Sequence, residues 1–181
     1  MKEFYHVSKN DLTGISKFDL MKFNGHISAE GLYSGQEFHA YKINLFPEGI
    51  SRHGELYLHN PFKSTGPNLA FAPNELLIET IFDVVRQLKF PNKKSRFVCM
   101  FGCLTLEDAR RIKDETFSNK GLIYKIGCDN YSLADMNFLR QAGGVIGLQI
   151  AAEKYWRGQS SCSPFWEVLM ECPIAVIKLV E

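Results

Sequence analysis

A helix, a strand and a second helix in close succession constrain the fold more than any other part of the chain. In PNELLIETIFDVVRQLKF, residues 73–90, apolar side chains recur at helical spacing. The run RFVCMFGC, residues 96–103, is almost continuously apolar and has the length of a buried strand. Thr105 can cap the next helix, predicted over residues 106–117. This succession predicts a sheet with helices packed around it.

The remaining elements extend that mixture. Residues 9–73 are rich in Gly, Pro, Asn and Ser and predict loops with short elements and a large part of the ligand surface. The other patterns predict strands at 3–8, 121–129, 163–172 and 173–181, and helices at 132–142 and within 143–156. Without an internal repeat or a low-complexity linker, the order predicts one α+β domain over residues 1–181.

Composition excludes several classes of protein. The chain of 181 residues is 45% hydrophobic and 23% charged, as expected for a globular domain. Its formal net charge of +1 gives no global attraction to nucleic acid or membrane. No window approaches the ~20 apolar residues that a spanning helix needs, and the start MKEFYHVSKNDL is unlike a signal peptide. We therefore expect a cytoplasmic protein that has no membrane partner.

The five cysteines have an odd count and irregular spacing, and no CxxC pair occurs. This pattern predicts reduced thiols and no metal site.

Polar residues at three strand positions are candidates for a functional site. His6 follows Tyr5 in the first strand, where a histidine is more often a surface or satisfied residue than a catalytic one. Ser95 and Arg96 stand at the head of the central apolar strand, either as an anion site or as a solvated basic turn. Glu167 lies inside the late strand, where period-2 alternation puts it on one face with Phe165 and Leu169, and it faces either water or a cleft.

With these residues in this order, the sequence resembles the ADP-ribosyltransferase superfamily. Members of that superfamily carry His or Arg on the first core strand, Ser, Thr or Tyr on the second, and Glu near the start of a later strand. The matching positions are His6, Ser95 and Glu167. The resemblance implies a mixed β core with helices packed around a cleft that binds NAD.

The resemblance also implies a role for each residue. Glu167 would be catalytic, stabilising the oxocarbenium character that develops when the glycosidic bond of NAD breaks. His6 and Ser95 would bind the dinucleotide, and either Arg96 or Lys93 and Lys94 would meet its pyrophosphate. Tyr5 or Tyr33 would stack on the nicotinamide.

The implied activity is transfer of ADP-ribose from NAD, without a metal, to a macromolecule. Small members of the superfamily are often toxins or anti-phage effectors, so an antitoxin partner is an expectation. Phe165 stands where arginine-modifying transferases carry an acid, and the basic run before Arg96 favours RNA or DNA over protein as the acceptor. Two alternatives are a non-catalytic module that binds a nucleotide or peptide, and an NAD glycohydrolase.

Overall fold

An antiparallel sheet of seven strands organises the part of the chain that the computed structural model describes, residues 1–23, 35–58, 73–140 and 144–181. The strands are β1 (Lys2–Ser8), β2 (Lys17–Phe18), β3 (Cys99–Cys103), β4 (Leu122–Cys128), β5 (Tyr131–Asp135), β6 (Trp166–Glu171) and β7 (Ile174–Leu179). Their order across the sheet is β2-β7-β4-β1-β3-β6-β5. Together with the helices, this sheet confirms the α+β prediction.

The longer helices agree with the sequence patterns. The helices are α1 (Gly35–Leu45), α2 (Arg52–Leu58), α3 (Pro73–Lys89), α4 (Leu106–Phe117) and α5 (Gly144–Trp156). The predicted cap of α4 is confirmed, since the Thr105 hydroxyl accepts the Asp108 amide at 3.1 Å. In the ranges described, no helix has the length and apolar character needed to cross a membrane.

The sheet has two differently packed faces. On the face that we call the helix face, α3 and α5 bury Phe82, Tyr155 and Trp156 against Leu169 of β6. The opposite face packs side chains of β1, β4, β6 and β7 with the segment that follows β1: Phe4, Leu12, Tyr124, Ile126, Val168, Met170 and Ile174. Strand alternation therefore sends neighbouring residues of β6 into two separate cores.

The sheet opens between β1 and β3. These strands share a single residue pair, Tyr5 with Cys103, whereas β1 and β4 pair along the whole of β1. Beyond that pair, His6 Nδ1 donates to the Phe101 carbonyl oxygen at 2.8 Å. A side chain therefore bridges the strands where the backbone ladder has ended.

Two sequence predictions need correction here. The predicted helix 132–142 is wrong, because residues 131–135 form the edge strand β5 and a 3₁₀ turn follows over 136–139. The side chains of these residues alternate between the two faces of the sheet, as in a strand. Ala134 packs in the core on the helix face, and Leu133 packs on the opposite face. The predicted strand 96–103 begins only at residue 99, because residues 96–98 form another 3₁₀ turn.

The long N-terminal region contains more structure than its composition indicates. Residues 9–73 include β2, α1 and α2 in the described ranges. The last two strands are separated at Pro173, as predicted, since β6 ends at Glu171 and β7 begins at Ile174.

Candidate functional site

A cluster of charged side chains lies buried between the helix face of the sheet and α2, α3 and α5. Its members, which we call the buried charge cluster, are His53, Glu79, Arg96, Tyr155 and Glu167. Glu79 and Arg96 are each 6% exposed and Glu167 is 3% exposed. Buried charges at this depth require paired partners, which explains why the five residues occur together.

Arg96 holds the cluster together. Its Nε lies 3.0 Å from Glu79 Oε2, and its Nη2 donates to Glu79 Oε1 at 3.1 Å. Its Nη1 donates to both the Tyr155 hydroxyl oxygen and the Glu167 carboxylate. Tyr155 in turn donates its own hydroxyl proton to Glu167. One guanidinium thus links two carboxylates that come from different elements.

Two acids on α3 explain why a hydroxyl and a guanidinium stand at the head of the central strand. Glu79 and Asp83 are four residues apart and therefore lie on one side of the helix. The Ser95 hydroxyl donates to Asp83 at 2.7 Å, while Arg96 pairs with Glu79. Ser95 also caps the 3₁₀ turn by accepting the Phe97 amide. The alternative of a solvated basic turn is therefore wrong for Ser95 and Arg96.

The pairing shifts the acid–base properties of the cluster. Burial raises the pKa of Glu79, but the positive charge of Arg96 and the contact with His53 outweigh burial and lower that pKa to about 2. Burial lowers the pKa of Arg96, and the two carboxylates overcome this effect and raise it. Burial and the Glu167 charge raise the pKa of Tyr155. Glu79 is thereby held ionised beside a permanent cation.

His53 joins the cluster from α2. Its Nε2 lies 3.0 Å from Glu79 Oε1, although the two groups are not aligned for a hydrogen bond. The ring packs between Tyr57 and Phe101, with centroid distances of 4.8 and 4.7 Å. Gly54 allows this position, because a Cβ there would lie 2.3 Å from the Phe97 carbonyl oxygen.

A cavity of about 360 Å³ opens at the split between β1 and β3. We call it the split cavity. Its polar lining comes from His6, Asp19, Arg52 and His53, and its apolar lining includes Phe18, Met21, Met100 and Phe101. The Arg96 guanidinium lies 4.5 Å from the centroid of the Phe101 ring. The buried charge cluster therefore lies directly behind the Phe101 wall and reaches the cavity at His53.

The predicted residues meet this cavity to different extents. His6 lines it, and burial together with the Arg52 charge lowers the pKa of His6 against the opposing effect of the Phe101 carbonyl. The helix face carries Tyr5, Cys103 and Glu167, because these residues pair directly across β1, β3 and β6. His6 follows Tyr5 in β1, so its side chain lies on the opposite face. The structure thus brings Arg96 and Glu167 into contact and does not bring His6 to Glu167. Tyr33 lies outside the described residues.

Ser95 lines a second cavity of about 380 Å³ instead, which we call the lysine cavity. Its charged lining comes from Glu48, Arg86, Lys93, Lys94 and Glu171. Arg86 is already paired with Asp83 at 2.9 Å, so the two exposed lysines carry the positive charge that faces solvent. Leu20 and Gly49 line this cavity, and Met21 and Ser51 line the split cavity, so the two lie next to each other.

Three members of the buried charge cluster were not predicted as site residues from the sequence: His53, Glu79 and Tyr155. Glu79 had a readable signal, since an acid in the apolar stripe of a helix needs a buried partner, and Arg96 follows soon after the helix. His53 had no comparable signal inside the Gly- and Pro-rich region.

The thiols of the chain are all free. Cys99 and Cys172 line the split cavity, and burial raises their pKa to about 12 and about 11, respectively. Both therefore stay protonated near neutral pH. Within the described ranges, no three His, Cys, Asp or Glu side chains form a group able to hold a metal ion.

Comparison with known proteins gives a family. No curated protein matches the chain. A family model matches residues 59–181, more than half of the 181 residues. The chain therefore belongs to the family described as protein of unknown function (DUF2441).

Proposed function

We propose that the protein is an ADP-ribosyltransferase that binds NAD in the split cavity and transfers its ADP-ribose to a macromolecule. The observation that carries the proposal is the opening between β1 and β3, where His6 lines a cavity backed by the Arg96–Glu167 pair. On this proposal, the fold is an ADP-ribosyltransferase-like core, and residues 1–181 act as one domain.

The lining of the split cavity suits half of a dinucleotide. Its volume of about 360 Å³ lies within the range of small-molecule sites, roughly 300–1,000 Å³. Phe18 and Phe101 offer aromatic surface for a nicotinamide or adenine ring. Arg52 is an exposed cation beside the cavity and takes the pyrophosphate role that was predicted for Arg96, which is committed to two carboxylates. His6 can hold a ribose hydroxyl.

Glu167 supplies the negative charge in this proposal. Loss of nicotinamide leaves positive charge on the ribose, and a fixed carboxylate stabilises that charge most strongly in the transition state. Arg96 and Tyr155 hold the carboxylate in one orientation. Glu167 is 3% exposed and its partner Arg96 lies against the Phe101 ring, so the mechanism requires the Phe101 side chain to turn aside when NAD enters.

The lysine cavity supports a nucleic-acid acceptor. Lys93 and Lys94 are exposed beside the split cavity, where they can attract phosphates of a single strand. An effector that modifies nucleic acid in this way would arrest growth when expressed, unless an antitoxin protein were present.

NAD turnover tests the proposal. Purified protein is incubated with NAD labelled in its adenylate half, together with RNA, DNA or protein, and label on each acceptor is measured. Glu167→Gln should lower transfer about 10²- to 10³-fold with little change in NAD affinity. Glu3→Gln is the control, since Glu3 is a strand acid that pairs with Lys125 at the surface, lines neither cavity and should retain activity.

The alternatives give different outcomes in the same experiment. Free ADP-ribose with no labelled macromolecule would identify an NAD glycohydrolase. Binding of NAD without turnover would identify a non-catalytic module. If the protein neither binds NAD nor turns it over, the proposal is overturned.

A further inference from the structure

We propose that His53, held against Glu79, is the general base of this protein and removes the proton from the acceptor nucleophile in the split cavity. This inference rests on the proposed function and adds the group that activates the acceptor. The acceptor class it implies is a hydroxyl or amino group that must lose a proton as it attacks.

The position of His53 separates it from the rest of the buried charge cluster. Its side chain is 18% exposed, whereas those of Glu79, Arg96 and Glu167 are 8%, 7% and 4% exposed. It is also the member of the cluster that lines the split cavity. A proton can therefore pass between a bound molecule and the cluster at His53.

The packing around His53 holds the ring in one orientation. Tyr57 contacts it at a centroid distance of 4.8 Å and Phe97 is stacked at 6.2 Å, so two rings still hold it when Phe101 turns aside. Helix α2, which carries His53, is held against the 3₁₀ turn of residues 96–98 by Ser51. The Ser51 amide donates to the Phe97 carbonyl oxygen at 2.8 Å, and the Ser51 hydroxyl donates to the same oxygen at 3.0 Å. Because Nε2 faces Glu79, Nδ1 is the nitrogen left to exchange a proton with a ligand.

Charges of both signs face His53. Glu79 from α3 lies against the ring, and Glu167 from β6 adds a second negative charge to the cluster. Arg96 from the 3₁₀ turn is the cation opposing these two acids, and Arg52 lies next to His53 on α2. Glu79 Oε1 lies 3.0 Å from His53 Nε2, so the carboxylate is close to the positive charge that the ring carries after it takes the acceptor's proton.

The step balances without another reactant. The bond between C1′ of the ribose and the nicotinamide nitrogen breaks, and nicotinamide leaves with the electron pair. The acceptor oxygen or nitrogen forms a bond to C1′ and passes its proton to His53. Nothing is oxidised or reduced, and the proton is later released to solvent through the cavity mouth.

The test compares His53→Ala with the control His39→Ala, a histidine of α1 that does not line the split cavity. We expect His53→Ala to lower kcat for transfer about 10²- to 10⁴-fold while the Kd for NAD stays near the wild-type value. Added imidazole should restore part of the lost rate in His53→Ala and leave His39→Ala unchanged. The limb of the pH–rate profile that reports deprotonation of the base should disappear in His53→Ala.

The outcomes separate this inference from the function on which it rests. Wild-type protein that turns over no NAD overturns both. Wild-type turnover combined with an unchanged kcat in His53→Ala overturns the general base alone, as does a loss confined to the Kd for NAD. If His53→Ala does not fold, His53→Gln is judged by the same kcat, Kd and pH criteria.

Discussion

The two faces of β6 are equally buried and are held by different forces. Glu167 is 3% exposed and contacts Arg96 and Tyr155 on the helix face, whereas its neighbour Val168 is 0% exposed in a purely apolar core. Val168 is stabilised by non-directional burial, which tolerates small shifts of its neighbours. Glu167 depends on directional bonds to residues on α5 and the 3₁₀ turn, which fix its position.

This difference supports the functional use proposed for the helix face. A buried ion pair loses much of its Coulomb energy to desolvation, and apolar residues of similar volume often stabilise a fold as well or better. The opposite face shows that this chain can fill a core with apolar side chains. We interpret the buried charge cluster as a site whose charges are kept for binding or chemistry at the split cavity.

The largest expected effect comes from removing the cation of the cluster. Arg96→Met leaves Glu79 and Glu167 buried without their shared partner, and we expect it to lower the free energy of unfolding by about 3–5 kcal/mol. Urea denaturation measures this change. Arg157→Met is the control, because Arg157 is exposed and pairs with Glu153 at the surface; it should cost no more than about 1 kcal/mol. Equal losses would show that the buried cluster has no special role in stability.

Acidic pH should lower the free energy of unfolding through Glu79 on the helix face. The pKa of Glu79 falls from 4.5 to about 2 on folding, so its charge stabilises the fold above pH 4.5. That contribution, on the order of 3 kcal/mol, is lost as the pH falls from 4.5 through about 2. The difference in unfolding free energy between wild type and Glu79→Gln should shrink over this range. A difference that stays constant would contradict the pairing.

The apolar face should respond to lost volume and not to pH. Val168→Ala removes two buried methyl groups, and we expect a loss of about 2 kcal/mol in the free energy of unfolding. The same loss should appear at pH 7 and at pH 3, because Val168 packs within a cluster of buried hydrophobic residues. A pH-dependent loss would mean that the two faces are coupled through the strand.

The smallest expected effect concerns the connection between α3 and β3. Ser95→Ala removes the cap of the 3₁₀ turn and the hydrogen bond to Asp83, and should cost about 1 kcal/mol. Asp83 keeps Arg86 and Gln87 as partners, which limits the loss. Thermal unfolding checks the value. A loss as large as that of Arg96→Met would show that Ser95 positions Arg96 as well as the turn.

Local patterns in the sequence determined the elements whose signals are complete within one segment. The apolar periodicity of α3, the Thr105 cap of α4 and the break at Pro173 each predicted what the structure contains. The same patterns predicted that Glu167 lies inside a strand, and period-2 alternation put it on one face with Leu169.

Tertiary structure alone decided the edge strand and the composition of the site. Residues 131–135 carry no strong local preference and become β5 because β6 offers an unpaired edge. Arg96 meets Glu79 across 17 residues and Glu167 across 71 residues, and neither distance leaves a periodic trace in the sequence. A buried guanidinium accepts whichever carboxylates the fold brings within reach, so the identity of its partners follows from chain topology and burial, and not from local propensity.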